Sequence, residues 1–240
     1  MIEATQIRTI AAQAKIDPGI IEKDYMLSKA LMALATLDSF KDSLVFKGGT
    51  ALKKCYFPGW RFSEDLDFTS KTQMKRSDIM AIFEQATSAS SSMFGVPLRV
   101  IEYSQCPRTR GPIVSAQLKI GYDGPLRKSS GQKNNIRVDI AFDEKIVSKT
   151  PERGLFKTYQ DDIDTALPLY PLEEIAAEKL RSILQRGKSR DYYDVWVLLK
   201  DYKSDFSLQR TREILKQAEV RPQRYPIPHG RKLPRTGAYR

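Results

Sequence analysis

Gly59 to Ser70 reads GWRFSEDLDFTS, with Glu64, Asp65 and Asp67 set among Phe62, Leu66 and Phe68. The stretch EDLDFTS alternates, which predicts a strand. In a strand Asp65 and Asp67 share one face, and Leu66 and Phe68 take the other, toward a core. Two carboxylates side by side repel, and burial without a partner would raise both pKa values and cost stability. A divalent cation removes that conflict. Hard cations such as Mg²⁺ bind through one or two carboxylates plus substrate phosphates. The plain alternative, and the better one for an isolated pair, is a solvated edge strand.

The pair is not isolated. SLVFKGG reads as a short strand ending in two glycines, and TALKKCYF as the helix that follows. The turn Gly48, Gly49, Thr50 lets backbone approach a phosphate, and first-turn N–H groups can receive it. It is not a Walker A loop, since G-x-x-x-x-G-K-[ST] occurs nowhere. A third acid, Asp139, falls within the apolar strand NIRVDIAF, where charge is unusual. It reads equally as a metal ligand, or as an edge residue or partner of Arg137.

Asp17-Pro18 predicts a capped helix running to about Leu37, and residues from about Arg76 to Met93 suit another. VPLRVIEYS and PIVSAQLKIGY are further strands, and DGPLRKSSGQKNN is a loop. After Pro168 three helices follow, PLEEIAAEKLRSILQR, SRDYYDVWVLLKDY and SDFSLQRTREILKQAEV. The order is α+β, without regular βαβ winding. In the first of these helices Lys179 falls inside the stripe Leu172, Ile175, Ala176, Ile183, Leu184. It either snorkels outward or enters a cleft to hold phosphate. Asp191 and Asp194 share a helix face; their plain reading is a cap and a partner for Arg190.

The 240 residues carry 40 Lys+Arg against 29 Asp+Glu, a formal charge of +11. Basic residues gather in Arg108–Arg137 and in the Pro-rich segment Arg221–Arg240, a pattern that suits a phosphate-bearing partner. The 2 cysteines exclude a cysteine zinc cage and fit a reducing compartment, and the single histidine, His229, excludes a His-rich metal site. No apolar stretch is long enough to span a bilayer and the first residues lack a signal-peptide core, so a cytoplasmic protein is expected.

GGTAL followed by RFSEDLDF, then AEKL and RDYYDVW, with IIEKDYML upstream, resembles the AbiEii/MenT-type nucleotidyltransferase-like toxins of the DNA polymerase β nucleotidyltransferase superfamily. The resemblance spans roughly Glu22 to Leu199. It implies a polymerase β-like mixed sheet over residues 1–165 and a helical domain closing the cleft over 166–220; the basic Pro-rich tail over 221–240 matches none of the family's motifs. It implies Mg²⁺ (or Mn²⁺) and an NTP as substrate, a tRNA 3′ end as acceptor, and a separate antitoxin as partner, with no membrane role. By position, Gly48, Gly49 and Thr50 would hold phosphates, Asp65 and Asp67 metal, and Lys179 the triphosphate. Asp139 would match the third metal carboxylate, and Asp191 or Asp194 the later catalytic acid. The competing expectations are transfer to a protein or small molecule, and a non-catalytic RNA- or nucleotide-binding module.

Overall fold

Asp17 accepts a hydrogen bond from the Gly19 N–H at 2.7 Å, with Pro18 at the first helical position. This cap starts α2 (Pro18–Ala35). From Tyr25 to Ala35 every residue of α2 is buried, the mark of a helix enclosed on all sides. The computed structural model describes residues 1–107, 112–126 and 134–219. Its two compact units are Met1–Pro171 and Leu172–Arg240. The segment Arg221–Arg240 with its histidine, and Arg108, Arg110, Arg127, Lys128 and Lys133 of the other basic segment, lie outside the described residues.

In the first unit, five strands form one sheet in the order β1-β2-β5-β4-β3. They are β1 (Leu44–Lys47), β2 (Asp65–Ser70), β3 (Leu98–Pro107), β4 (Ile113–Tyr122) and β5 (Asn135–Ala141). β2 and β5 are parallel and the other neighbours antiparallel. One face is apolar: Phe46, Leu66, Phe68, Val138 and Ile140 are all fully buried. Phe68 is the hub, with ring centroids 5.4 Å from Phe40, 5.4 Å from Phe46 and 6.3 Å from Phe83 of α5 (Arg76–Phe94). The expected strands and helices form within a few residues of their predicted ends. α1 (Ala4–Ala14), α3 (Asp38–Ser43) and the pair β6 (Glu152–Gly154) and β7 (Ala166–Pro168) appear in addition.

The second unit holds α6 (Leu172–Arg186), α7 (Ser189–Asp201) and α8 (Leu208–Glu219). Gly187 ends α6 with φ 58°, and its N–H donates to Ile183 at 3.1 Å. That left-handed residue reverses the chain into α7. Leu172, Ile175, Ala176 and Lys179 of α6 are buried, but Leu184 is 73% exposed and leaves the stripe expected of it. Among the described residues no helix is long and apolar enough to cross a membrane.

Candidate active site

The predicted residues fall into two groups, one in each unit. Gly48, Gly49, Thr50, Asp65, Asp67 and Asp139 belong to Met1–Pro171; Lys179, Asp191 and Asp194 belong to Leu172–Arg240.

The register of the sheet builds the first group. Lys47 pairs with Asp67, Asp67 with Asp139, and Asp139 with Gln117, so the four stand in one cross-strand row. The next row on that face runs Asp65, Arg137, Lys119, Glu102. Strand alternation turns this charged face away from Leu66, Phe68, Val138 and Ile140. β5 lies inside the sheet, so the edge-strand reading of Asp139 is excluded. Burial raises the Asp139 pKa; a 2.7 Å hydrogen bond from Gln117 lowers it, and the Asp65 charge raises it further. The net direction is upward. Asp139 therefore sits in a site that resists one more negative charge.

The glycine turn rests directly on this row. Gly48 begins α4 (Gly48–Ala51), which runs on as a π-helical turn to Tyr56. Its φ is 83°, and a Cβ there would lie 2.3 Å from Asp67 Oδ2 and 3.0 Å from Asp67 Cβ. A Cβ on Gly49 would lie 3.1 Å from Ser63 Oγ and 3.5 Å from an Arg61 Nη atom. The Thr50 hydroxyl, fully buried, donates to the Asp65 carbonyl at 2.5 Å and ties turn to strand. That leaves Thr50 its main-chain N–H, rather than its hydroxyl, as the group suited to a phosphate.

Gly48→Ala should therefore cost on two counts. The left-handed backbone strain is about 1–2 kcal/mol, and the displaced Asp67 carboxylate should lower turnover roughly a hundredfold. Steady-state kinetics on folded variant protein checks this; unchanged turnover would mean that Asp67 is not where the chemistry occurs.

Several residues near these groups carried no sequence expectation of a role in the site. Lys47 is ion-paired with Glu144, whose carboxylate also accepts from the Thr69 hydroxyl at 2.7 Å. Tyr170 donates to Thr69 at 2.9 Å, and its ring lies 5.6 Å from the Lys47 ammonium. Lys47 could have been suspected as a charge closing an apolar strand. Glu144 lies beyond the end of β5 and had no pattern to betray it. Arg61 and Ser63 stood in the quoted motif but became site candidates only through their approach to Gly49.

The oxygen-only donor set fits a hard divalent cation. Asp65 and Asp67 share a face, the bare Cα of Gly48 keeps space open against Asp67 Oδ2, and Asp139 already registers like-charge crowding. Among the described residues no three His, Cys, Asp or Glu side chains converge as a ready-made cage.

Asp139→Asn should raise the stability of the unliganded protein at neutral pH. A carboxyl with a raised folded-state pKa contributes stability while protonated and loses it as pH rises through that folded value. Asparagine keeps an acceptor for Gln117 without the charge. Thermal melts of both proteins should diverge at neutral pH and converge in acid; parallel curves would contradict the burial argument.

In the second unit Lys179 does not snorkel. Its ammonium lies 2.8 Å from Asp194 Oδ2 and 3.3 Å from Asp191 Oδ1, and all three residues are buried. Arg186 reaches Asp191 at 3.0 Å through Nε and 3.4 Å through Nη2. Burial alone would raise the Asp191 pKa, but the Arg186 hydrogen bond and the Lys179 charge outweigh it and hold the carboxyl below the usual range. Arg186 was not anticipated: it meets Asp191 only because Gly187 turns the chain.

The row of carboxylates, the glycine turn and neighbouring cations suit metal-assisted transfer at phosphorus. The group includes no histidine or thiol to act as covalent nucleophile. Burial pushes the Cys55 thiol up to about 12, which leaves it inert.

Comparison with solved structures aligns 90% of this chain with 69% of MenT4, a nucleotidyltransferase toxin from Mycobacterium tuberculosis H37Rv. The TM-score is 0.64 at 20% identity, so the likeness is one of fold. The antibiotic-resistance factor ANT(2'')-Ia aligns with TM-score 0.44 and 13% identity, over 82% of this chain and 92% of that one. A nucleotidyltransferase-like antigen from Paracoccidioides brasiliensis aligns with TM-score 0.37 and 14% identity, over 80% and 86%. Neither of these two bears on the assignment. No curated protein matches the chain significantly. The fold is the α+β nucleotidyltransferase fold expected from the motifs. Residues 29–237 match the family model described as nucleotidyl transferase AbiEii toxin, type IV TA system, and the chain belongs to that family of nucleotidyltransferase enzymes.

Proposed function

We propose that this nucleotidyltransferase toxin moves a nucleotide from an NTP onto RNA, at the 3′ end of tRNA, and that it needs Mg²⁺ or Mn²⁺. The observation that carries the reading is the Asp65/Asp67/Asp139 face packed against the Gly48 turn. Asp65 and Asp67 are the metal ligands, with Asp139 beside them. The main-chain N–H groups of Gly48, Gly49 and Thr50 receive phosphate, supported by Arg61 and Ser63. Lys179 contacts the triphosphate, and Asp191 and Asp194 fix its ammonium; one of the two is the later catalytic acid.

In the reaction an acceptor hydroxyl attacks the α-phosphorus in line. The new O–P bond forms as the α–β phosphoanhydride breaks and pyrophosphate leaves. Asp139, in register beside Asp67 on that face, would take the hydroxyl proton. A divalent cation held by Asp65 and Asp67 would neutralise charge on the attacking and leaving oxygens. The rest of the work is positioning, which explains the lack of a covalent nucleophile.

Membership of a type IV toxin–antitoxin family implies a separate antitoxin. A cytoplasmic site of action follows from an RNA acceptor and NTP supply. The test is incubation with total RNA and each labelled NTP in turn, resolved on a gel. Label in a tRNA-sized band supports the reading; label only in protein or in a small product replaces the acceptor.

A further inference from the structure

Helix α7 has two faces of opposite character. Asp191, Asp194 and Leu198 are buried. Tyr192, Trp196 and Leu199 are 54%, 54% and 44% exposed, and Tyr193 is 49% exposed beside them. At about 100° per residue, Tyr192, Trp196, Leu199 and Lys200 share one arc of the helix, Lys188 stands at its N-cap, and no carboxylate falls within that arc. The Tyr193 and Trp196 rings lie 6.1 Å apart, and the Lys200 ammonium sits 4.6 Å over Trp196. Three large rings in solvent on one short helix are costly unless something covers them.

We propose that this face of α7 binds single-stranded RNA, its rings stacking on unpaired bases and Lys188 and Lys200 meeting the backbone. Charge and chemistry both favour that occupant. Three of the four large exposed side chains are aromatic, and lysines at both ends with no acid between them suit a polyanion. Every base offers a π-face, so stacking on such a platform tolerates sequence. An apolar protein surface would gain nothing from the flanking lysines. The inference deepens the RNA-acceptor reading and draws its biological meaning from it: α7 would bind unpaired nucleotides of the acceptor RNA. The binding itself can be tested separately.

The chain has 2 tryptophans. Trp60 is 3% exposed and Trp196 is 54% exposed, so Trp196 is the fluorophore that bases can reach. The full chain is titrated with a short oligouridylate while tryptophan emission is followed, and affinity is measured independently by filter binding. The wild type should show saturable quenching. Trp196→Phe should lose the quenching and keep most of the affinity; Trp196→Leu should lose both, with affinity falling about tenfold. Duplex RNA of the same length should compete weakly, because its bases are already stacked.

An unquenched wild type, or Trp196→Leu binding as well as wild type, overturns the proposal. So does an unchanged affinity accompanied by conversion of a dimer to a monomer, which would make the face a protein interface. The two readings fail separately. Quenching without any nucleotide transfer to RNA sinks the acceptor assignment and leaves the stacking face standing. Transfer to RNA that is indifferent to Trp196→Leu, with no quenching, does the reverse.

Discussion

Lys179→Ala should destabilise the helical unit by about 3–5 kcal/mol, the cost of removing one partner from a buried ion pair. The lysine sits between Asp191 and Asp194, both fully buried, and its loss removes the ammonium that the two carboxylates share. The depressed pKa of Asp191 sets the pH dependence. A carboxyl of that kind contributes stability above its unfolded value and loses it as pH falls through the folded one. Without Lys179 part of that depression disappears, so acid unfolding should begin at higher pH than in wild type. Replacing both ends of a pair, Lys179→Met with Asp194→Leu, should recover much of the loss. Urea unfolding followed by Trp196 emission reads the same unit. A loss below about 1 kcal/mol would show the cluster to be screened like a surface pair. A drop in triphosphate use in Lys179→Ala must therefore be measured on protein shown to be folded, and Lys179→Arg separates charge from shape.

Asp65→Asn and Asp67→Asn should each lower nucleotide transfer on the order of a thousandfold, the scale of losing one preorganised electrostatic contact to the transition state. Stability should hold or rise slightly. Both substitutions keep the shape of the side chain and remove a negative charge from a face that also carries Asp139, whose proton affinity already reflects the Asp65 charge. A purely structural role would show the opposite pattern, with melting temperature falling and turnover per folded molecule unchanged. Added Mg²⁺ should raise the wild-type melting temperature and leave both variants unmoved, a readout independent of catalysis.

Much of this was legible because two periodicities were clean. The alternation of Asp65, Leu66, Asp67 and Phe68 specified a strand and its faces, and the run from Leu172 to Ile183 specified an amphipathic helix with one lysine inside its stripe. The rows across the sheet were not legible. That Asp67 stands beside Asp139 depends on parallel pairing of β2 with β5, two strands far apart in the chain. The same holds for Glu144 on Lys47 and for Arg186 on Asp191, contacts created by turns. Leu184 was misjudged because, among the described residues, nothing covers that side of the last turn before Gly187. The short α3, β6 and β7 offer too few residues for any period to show.

Parallel reactions with RNA and the identified NTP, labelled once at the α-phosphate and once at the γ-phosphate, decide whether a nucleotide is transferred at the carboxylate row. The α-label should join the RNA 3′ end, the γ-label should leave as pyrophosphate, and neither event should occur in Asp67→Asn. Label from the γ-phosphate on the acceptor would make the enzyme a phosphotransferase, and full α-label transfer by Asp67→Asn would place the chemistry away from the carboxylate row.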